Sequence, residues 1–452
     1  MRIITWAGGV ASLAAYVVLA VTQATLGSPL FFALAAVPFV VYGFLVRDLL
    51  SGGQAADGRT LPRLLIVALL LSAAFRVPLA ISPVGWDNDM VRYVYDGRLQ
   101  RLGYNPFSVI PSDPAVAATH DDMTRRMPSR NARTPYPAAA QLFFRGVVTL
   151  SEGLRVMKGA LVACDLLTVA VLVAWLRSTR RSPWLALIYA WNPLVILEVA
   201  HSGHIDALGA LWIAVSAWML SVGRGMPAAI AFVLAVASKL VPIVLVPLYW
   251  KRIRFRDGAV AALVLAALYL PFSSAGLLPL GAVPNVIEHI RFNGPLFRFL
   301  AAQFTPQGAA AIAVLAGLAV AAWMRWRTGA DDPAAWGWPM AVSLAAAPVI
   351  YPWYLLYFTP FLFTRAMVPL MVWTYTVLPV YLVWHLSKFG YRWRVPERVL
   401  WFEFGGVIAV IVALSVLKVL KVRAGAKGAG AKGAGAKGAN GAEGAAPHPL
   451  HD

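Results

Sequence analysis

The sequence predicts an all-α polytopic membrane protein, and three observations carry that prediction. Of 452 residues, 60% are hydrophobic and only 13% charged, against roughly 45–50% and about 25% in soluble domains. The mean hydropathy of +0.69 comes from apolar stretches recurring along nearly the whole chain, and at about 20 residues per crossing this accommodates roughly 11–13 transmembrane helices. The 17 Trp, 15 Tyr and 31 Pro suit helices with interfacial aromatic belts and broken segments, not the short alternating runs of a barrel. A water-soluble enzyme is excluded. The single cysteine, Cys164, sits in an apolar run as a core residue, which excludes an internal disulfide and a cysteine-based zinc site.

The formal charge of +19 does not point to nucleic acid, because the excess lies in short turns between apolar runs. Arg177, Arg180 and Arg181, Lys251, Arg252, Arg254 and Arg256, Arg325 and Arg327, and Lys418, Lys421 and Arg423 mark those turns as cytoplasmic.

Residues 1–60 predict a transmembrane hairpin and a cytoplasmic turn, with crossings from Ile3 to Ala24 and from Pro29 to Val46. The first run is too long, and too closely followed by a second, for a cleaved signal peptide. Residues 61–422 form the main membrane domain. Leu61 to Ser82 crosses outward, and residues 83–135 make a long external loop with seven Arg and six Asp. Tyr136 to Glu152, interrupted by Arg145, reads as an interfacial or partly inserted helix. Arg155 to Leu176, Trp184 to Ala200 and Ala207 to Val222 are crossings, the last two joined by a short external turn, His201 to Asp206. Met226 to Trp250 has basic residues at both ends and Ser238, Lys239 and Pro242 at its middle. It predicts a helix that enters halfway, breaks with Lys239 at its tip and returns, which is tolerated where broken backbone lines a cavity. Gly258 to Phe272 and Gly308 to Met324 flank a second external loop, residues 273–307. Helices around Tyr351 to Tyr354, then Ala366 to Leu386 and Leu400 to Lys418, complete the domain. Residues 423–452, a Gly/Ala/Lys repeat, predict a disordered cytoplasmic tail that is solvated or touches anionic headgroups through Lys427, Lys432 and Lys437.

Chemistry-bearing residues concentrate at the external breaks. Trp86, Asp87, Asn88 and Asp89 follow a membrane exit, and Asp89, Arg92, Tyr93 and Asp96 recur at the spacing of one helical face. Two readings stand: a solvated amphipathic helix with its charges paired, or a catalytic carboxylate held at the headgroup level. Gly103 to Phe107 and Thr134 to Pro137 are stiff turns bracketing the loop. His201, His204 and Asp206 offer hydroxyl contacts to a substrate, a helix cap, or two of the ligands a metal needs; without a third firm ligand no metal site is assigned. Lys239 at membrane depth must pair with a carboxylate such as Asp165 or Asp206, or meet an anionic ligand.

The string Asp89 to Gly97, then Gly103, Tyr104, Asn105, Pro106 and Phe107, then Tyr136 to Gln141, resembles the first outer loop of bacterial polyprenyl-phosphate-mannose-dependent mannosyltransferases with the GT-C fold. Trp191, Asn192 and Pro193 with Glu198, His204 and Asp206, the Lys239 to Pro242 segment, and Tyr351 to Tyr354 are similar to that group as well. Together these strings run from about residue 60 to residue 365. Ala138 stands where such enzymes often have a second Pro, and Asp87 and Asp89 are separated rather than adjacent.

The resemblance implies a GT-C-like bundle in a bacterial plasma membrane, with its active site on the periplasmic or extracellular side. A sugar, mannose by the look of the loop, would pass with inversion from a polyprenyl-phosphate donor to a hydroxyl of a glycan or glycolipid acceptor. Asp89 or Asp87 would be the base, and Arg92, Tyr93, Asp96, His201, His204 and Asp206 would contact substrate. Lys239, Arg291 and Arg298 are the candidates to stabilise the leaving phosphate. No cofactor, metal or nucleic acid is implied; the partners are the donor, the acceptor and membrane lipids. A transporter or flippase of a lipid-linked saccharide is the competing class, but the two similar halves usual in secondary transporters are not visible in the sequence.

Overall fold

Apolar runs of 19 to 25 residues build most of the bundle. The computed structural model describes residues 1–52, 62–84, 88–276 and 279–439. Helices α1 (Ile4–Thr22) and α2 (Pro29–Leu50) form the first hairpin. Ser28 caps α2 by accepting the Phe31 N–H, and Pro29 occupies the first turn, where its missing donor costs nothing. Helix α3 (Arg63–Ile81) follows, then α4 (Asp89–Arg101), α5 (Ala138–Leu150) and α6 (Leu154–Ser178). Two short helices, α7 (Pro183–Ala190) and α8 (Pro193–His201), lead into α9 (Asp206–Ser221) and α10 (Gly225–Ser238). A 3-10 run, Val241–Tyr249, turns back along α10, and α11 (Phe255–Ala275), α12 (Val283–His289), α13 (Pro295–Gln303), α14 (Pro306–Arg327) and α15 (Pro333–Ala345) follow. Helix α16 (Arg365–Ser387) and the last helix, α17 (Glu397–Ala439), close the order.

Among the described residues eight helices are long and apolar enough to cross a membrane, or nine if the bent pair α7 and α8 counts as one span. The fold is thus an all-α polytopic membrane protein, with fewer full-length crossings than the 11 to 13 expected. Several apolar runs are short: α5, α9 and α10 have 13 to 16 residues. The expected crossing from Trp184 to Ala200 is broken, bending 54° between α7 and α8. Asn192 there accepts the Leu194 N–H as a cap and Pro193 opens α8, a start signal in the middle of an apolar run. The re-entrant reading of Met226 to Trp250 agrees with the backbone, since α10 stops at Ser238 and the chain returns as Val241–Tyr249. The last helix, α17, runs on as far as Ala439, over the start of the Gly/Ala/Lys repeat. Residues 440–452 lie outside the described residues.

Two buried cations tie helices together inside the bundle. Arg76 of α3 forms a buried ion pair with Asp165 of α6 and also donates to the Ser72 and Ala190 carbonyls. That joins α3, α6 and α7 at one point, and each carbonyl bond lowers the cost of keeping the pair out of water. Lys158 of α6 donates to the Leu79 and Ser82 carbonyls at 2.8 and 3.1 Å, capping the end of α3 from which the long insertion departs. Helix α16 lies centrally, with 67% of its apolar window buried, whereas α17 buries 11% and turns its face outward.

Candidate functional site

Four breaks in the apolar pattern meet: the start of α4, the turn between α8 and α9, the end of α10, and the 3-10 turn Pro352–Tyr357. Helix α4 is positioned first. Asn88 caps it by accepting the Met90 N–H and donates its amide to the Ser202 carbonyl at 2.8 Å, so one side chain starts the helix and ties it to the next turn. Met90 to Gly97, Leu99 and Gln100 are buried, which removes the reading of α4 as a solvated surface helix. Gly97 lets α4 approach α5, because a Cβ there would stand 2.7 Å from the Phe144 carbonyl oxygen. Tyr93 stacks on Phe144 at 4.6 Å and meets Tyr136 edge-on at 5.0 Å, while its hydroxyl accepts the Ile205 N–H. Burial holds the Tyr93 and Tyr136 hydroxyls well above their usual range, so both keep their protons.

Arg92 and Asp96, expected to contact substrate, pair with each other at 2.7 Å in the interior. Arg92 also donates to the Ser129 and Ala132 carbonyls, and Asp96 accepts from Gln141, which binds Thr134 too. These residues fasten the insertion onto α4 and α5. The i to i+4 spacing that put them on one face also let them satisfy each other.

Asp89 begins α4 and keeps 34% of its side chain exposed. Its Oδ2 stands 4.0 Å from His204 Nδ1, and His204 Nε2 stands 3.3 Å from Glu198 Oε2. Tyr381 of α16 donates to the other oxygen of Glu198 at 2.5 Å. The His204 ring lies flat on Trp353 at 3.9 Å, and Trp353 in turn stacks on Tyr351 at 4.4 Å. Lys239, at the break after α10, donates to Asp206 at 2.6 Å and sits 3.8 Å over the Tyr354 ring. Of the two carboxylates proposed for Lys239, Asp206 is its partner; Asp165 is taken by Arg76. Lys239 is therefore an ion-paired cation and not a free one.

Electrostatics distinguish the acids and bases here. Enclosure by protein on all but its open side pushes the Asp89 carboxyl up to about 6, against the pull of the Lys239 ammonium and helped by Asp206. Burial, with Lys239 and His201 nearby, holds the His204 imidazole well below its usual range, so the ring is neutral. His201 is separated from this chain of contacts, and its Nδ1 lies 3.4 Å from Ser202 Oγ. Among the described residues no three His, Cys, Asp or Glu side chains gather as metal ligands.

Three sequence-chosen residues stand elsewhere or outside the description. Asp87 lies outside the described residues. Arg291 donates to the Ile287, Glu288 and Ile290 carbonyls and stacks over Phe297 at 4.8 Å, so it caps its own helix, α12. Arg298 is exposed on α13. Conversely, Tyr381, 183 residues from Glu198 in sequence, carries no local signal of its role. The chain matches no protein-family model, no curated protein and no solved structure.

Proposed function

We propose that the protein is a glycosyltransferase of the bacterial plasma membrane that moves a sugar, mannose by preference, from a polyprenyl-phosphate donor to a hydroxyl of a glycan or glycolipid. The site faces the periplasm or the cell exterior on this reading. One observation carries it: Asp89, a partly exposed carboxylate at the membrane exit of α3, lies beside a neutral imidazole and within the field of the Lys239 ammonium.

The chemistry needs one base and one cation. The Asp89 carboxylate removes the acceptor hydroxyl proton as that oxygen bonds to the anomeric carbon, the bond from that carbon to the phosphate oxygen breaks, and polyprenyl phosphate leaves with the electron pair. Attack opposite the leaving group inverts the anomeric centre. Of the three cations chosen from sequence, Lys239 is the one joined to this cluster, so it meets the charge developing on the phosphate. Aromatic faces at Trp353, Tyr351 and Tyr354 supply apolar surface around the same point.

The test is to incubate membranes carrying the wild type or Asp89→Asn with a panel of polyprenyl-phosphate sugars and follow sugar release. Asp89→Asn retains donor binding and loses the ~10² to 10⁴-fold contribution of a general base. Near-normal turnover by Asp89→Asn with an inactive Asp87→Asn moves the base two residues back; normal turnover by both ends the reading.

A further inference from the structure

The turn from Trp250 to Arg256 lies at the far end of α10 from the candidate site. A Cβ on Gly225, the first residue of α10, would stand 2.6 Å from Asp257 Oδ2. Lys239 follows the last residue of that 14-residue helix, about 21 Å away at a rise of about 1.5 Å per residue. At the turn, two arginines clasp each other's segments. Arg252 donates Nη2 to the Thr328 carbonyl just beyond α14 at 2.6 Å, and Arg325 in the last turn of α14 donates Nε to the Trp250 carbonyl at 2.7 Å.

An arginine at this level ordinarily snorkels toward water or sits at a helix C-terminus, where the dipole favours a cation. Arg325 does the second. Arg252 does neither: it lies in a turn, and its Nη1 is buried with no acceptor among the described residues, which is costly for a charged donor. The acid whose charge acts on Arg252 is Asp331, and that carboxylate is ion-paired with Arg181 at 3.2 Å. Burial and the like charge of Arg325 hold the Arg252 guanidinium below its usual range, so the two cations disfavour each other. An anion beside both reverses that sign.

The neighbouring side chains indicate what carries the anion. Trp250, Trp323 and Trp326, on the same two segments as the arginines, are 62%, 55% and 74% exposed, and Phe255 is 94% exposed. Bare aromatic side chains of this kind settle at the headgroup level of a bilayer. A soluble anion has no use for them, whereas a lipid phosphate arrives with acyl chains that cover them.

We propose that Arg252 and Arg325 bind the phosphate of an anionic phospholipid, on the membrane face opposite the candidate site. A guanidinium offers phosphate oxygens two parallel N–H donors, and Arg252 Nη1 is a donor with no other use. The lipid then reinforces the two carbonyl bonds that join the end of the re-entrant segment to the end of α14. None of this depends on the glycosyltransferase reading.

The experiment titrates full-length protein in a neutral detergent with phosphatidylglycerol, with phosphatidylcholine and with inorganic phosphate. Bound lipid is counted by native mass spectrometry, and the thermal midpoint is followed in parallel. Wild type retains phosphatidylglycerol in preference to phosphatidylcholine, and its midpoint rises by about 3 °C with phosphatidylglycerol about a hundredfold above its Kd. At lipid concentrations that saturate the wild type, Arg252→Gln and Arg325→Gln each lose one phosphatidylglycerol from the count, the affinity falling about tenfold or more with the charge-assisted bond. Lys418→Gln, which removes an exposed cation of α17, changes that affinity less than about twofold. A wild type without the preference, an unchanged count in either arginine variant, or the same loss in Lys418→Gln overturns the proposal. A midpoint raised by inorganic phosphate as much as by phosphatidylglycerol gives the clasp to a free anion and overturns the lipid assignment. If Arg252→Gln does not accumulate, the count in Arg325→Gln decides.

Discussion

Replacing Lys239 by Met tests whether the Lys239–Asp206 contact holds the broken helix together. Were Lys239 to meet only an anionic ligand, Lys239→Met would strand no carboxylate and leave the fold intact; its pairing with Asp206 predicts a loss of stability instead. Asp206 is 1% exposed, its Oδ1 receives the Lys239 ammonium at 2.6 Å, and its Oδ2 has no partner at all. Removing one member of a buried pair costs about 3–5 kcal/mol. Lys239 is 19% exposed, so water already screens part of the pairing, and about 2–3 kcal/mol is the expected loss. For a chain of this size that lowers the thermal midpoint by about 2–3 °C. Heating aliquots in detergent and measuring the monodisperse fraction reads the shift as a rate-weighted midpoint, suitable for irreversible unfolding. Lys239→Met combined with Asp206→Asn removes the stranded charge and regains most of the loss. A wild-type midpoint for Lys239→Met, or a double variant no more stable than the single, refutes the reasoning.

Further outcomes follow from the same geometry. With the Asp89 carboxyl pushed up to about 6, the base is ionised above that pH and loses its charge below it, so the wild-type rate at pH 5 falls to about one tenth of its plateau; a limb near pH 4 in the pH–rate profile contradicts the burial argument. Gly203 has φ +73°, and a Cβ there would lie 2.2 Å from Met90 Sδ. Gly203→Ala thus strains the turn carrying His204 and lowers stability by about 1–3 kcal/mol. Adding Met90→Ala recovers only the steric part, as compared thermal midpoints show.

Where an apolar run is interrupted, the interruption is local and readable. Lys239 beside Ser238, with Pro242 three residues on, shows at once that a helix stops there, and α10 ends at Ser238. The turn from His201 to Asp206 and the joints at Gly103 and Thr134 are legible for the same reason: Gly, Pro and polar side chains do not continue a membrane helix. The bend at Asn192 was equally written in the sequence, as a cap residue followed by Pro, but continuous hydrophobicity on both sides made one crossing the simpler reading.

Pairing is what local pattern cannot supply. Arg76 and Asp165 sit 89 residues apart in separate helices, and nothing in either run says that Asp165 is already taken and Lys239 must find Asp206. Helix α4 shows the same limit from the other side. Its Asp and Arg residues look like a face made for water, yet water is replaced one group at a time: Asp96 and two loop carbonyls for Arg92, Gln141 for Asp96 and Gln100. Each such replacement lowers the cost of burying a polar helix. Asp89 is the carboxylate of α4 that retains open surface, while the imidazole behind it lacks a partner on its facing nitrogen. With Asp96 buried against Arg92, Asp89 is therefore the carboxylate of α4 at which a substrate proton has somewhere to go.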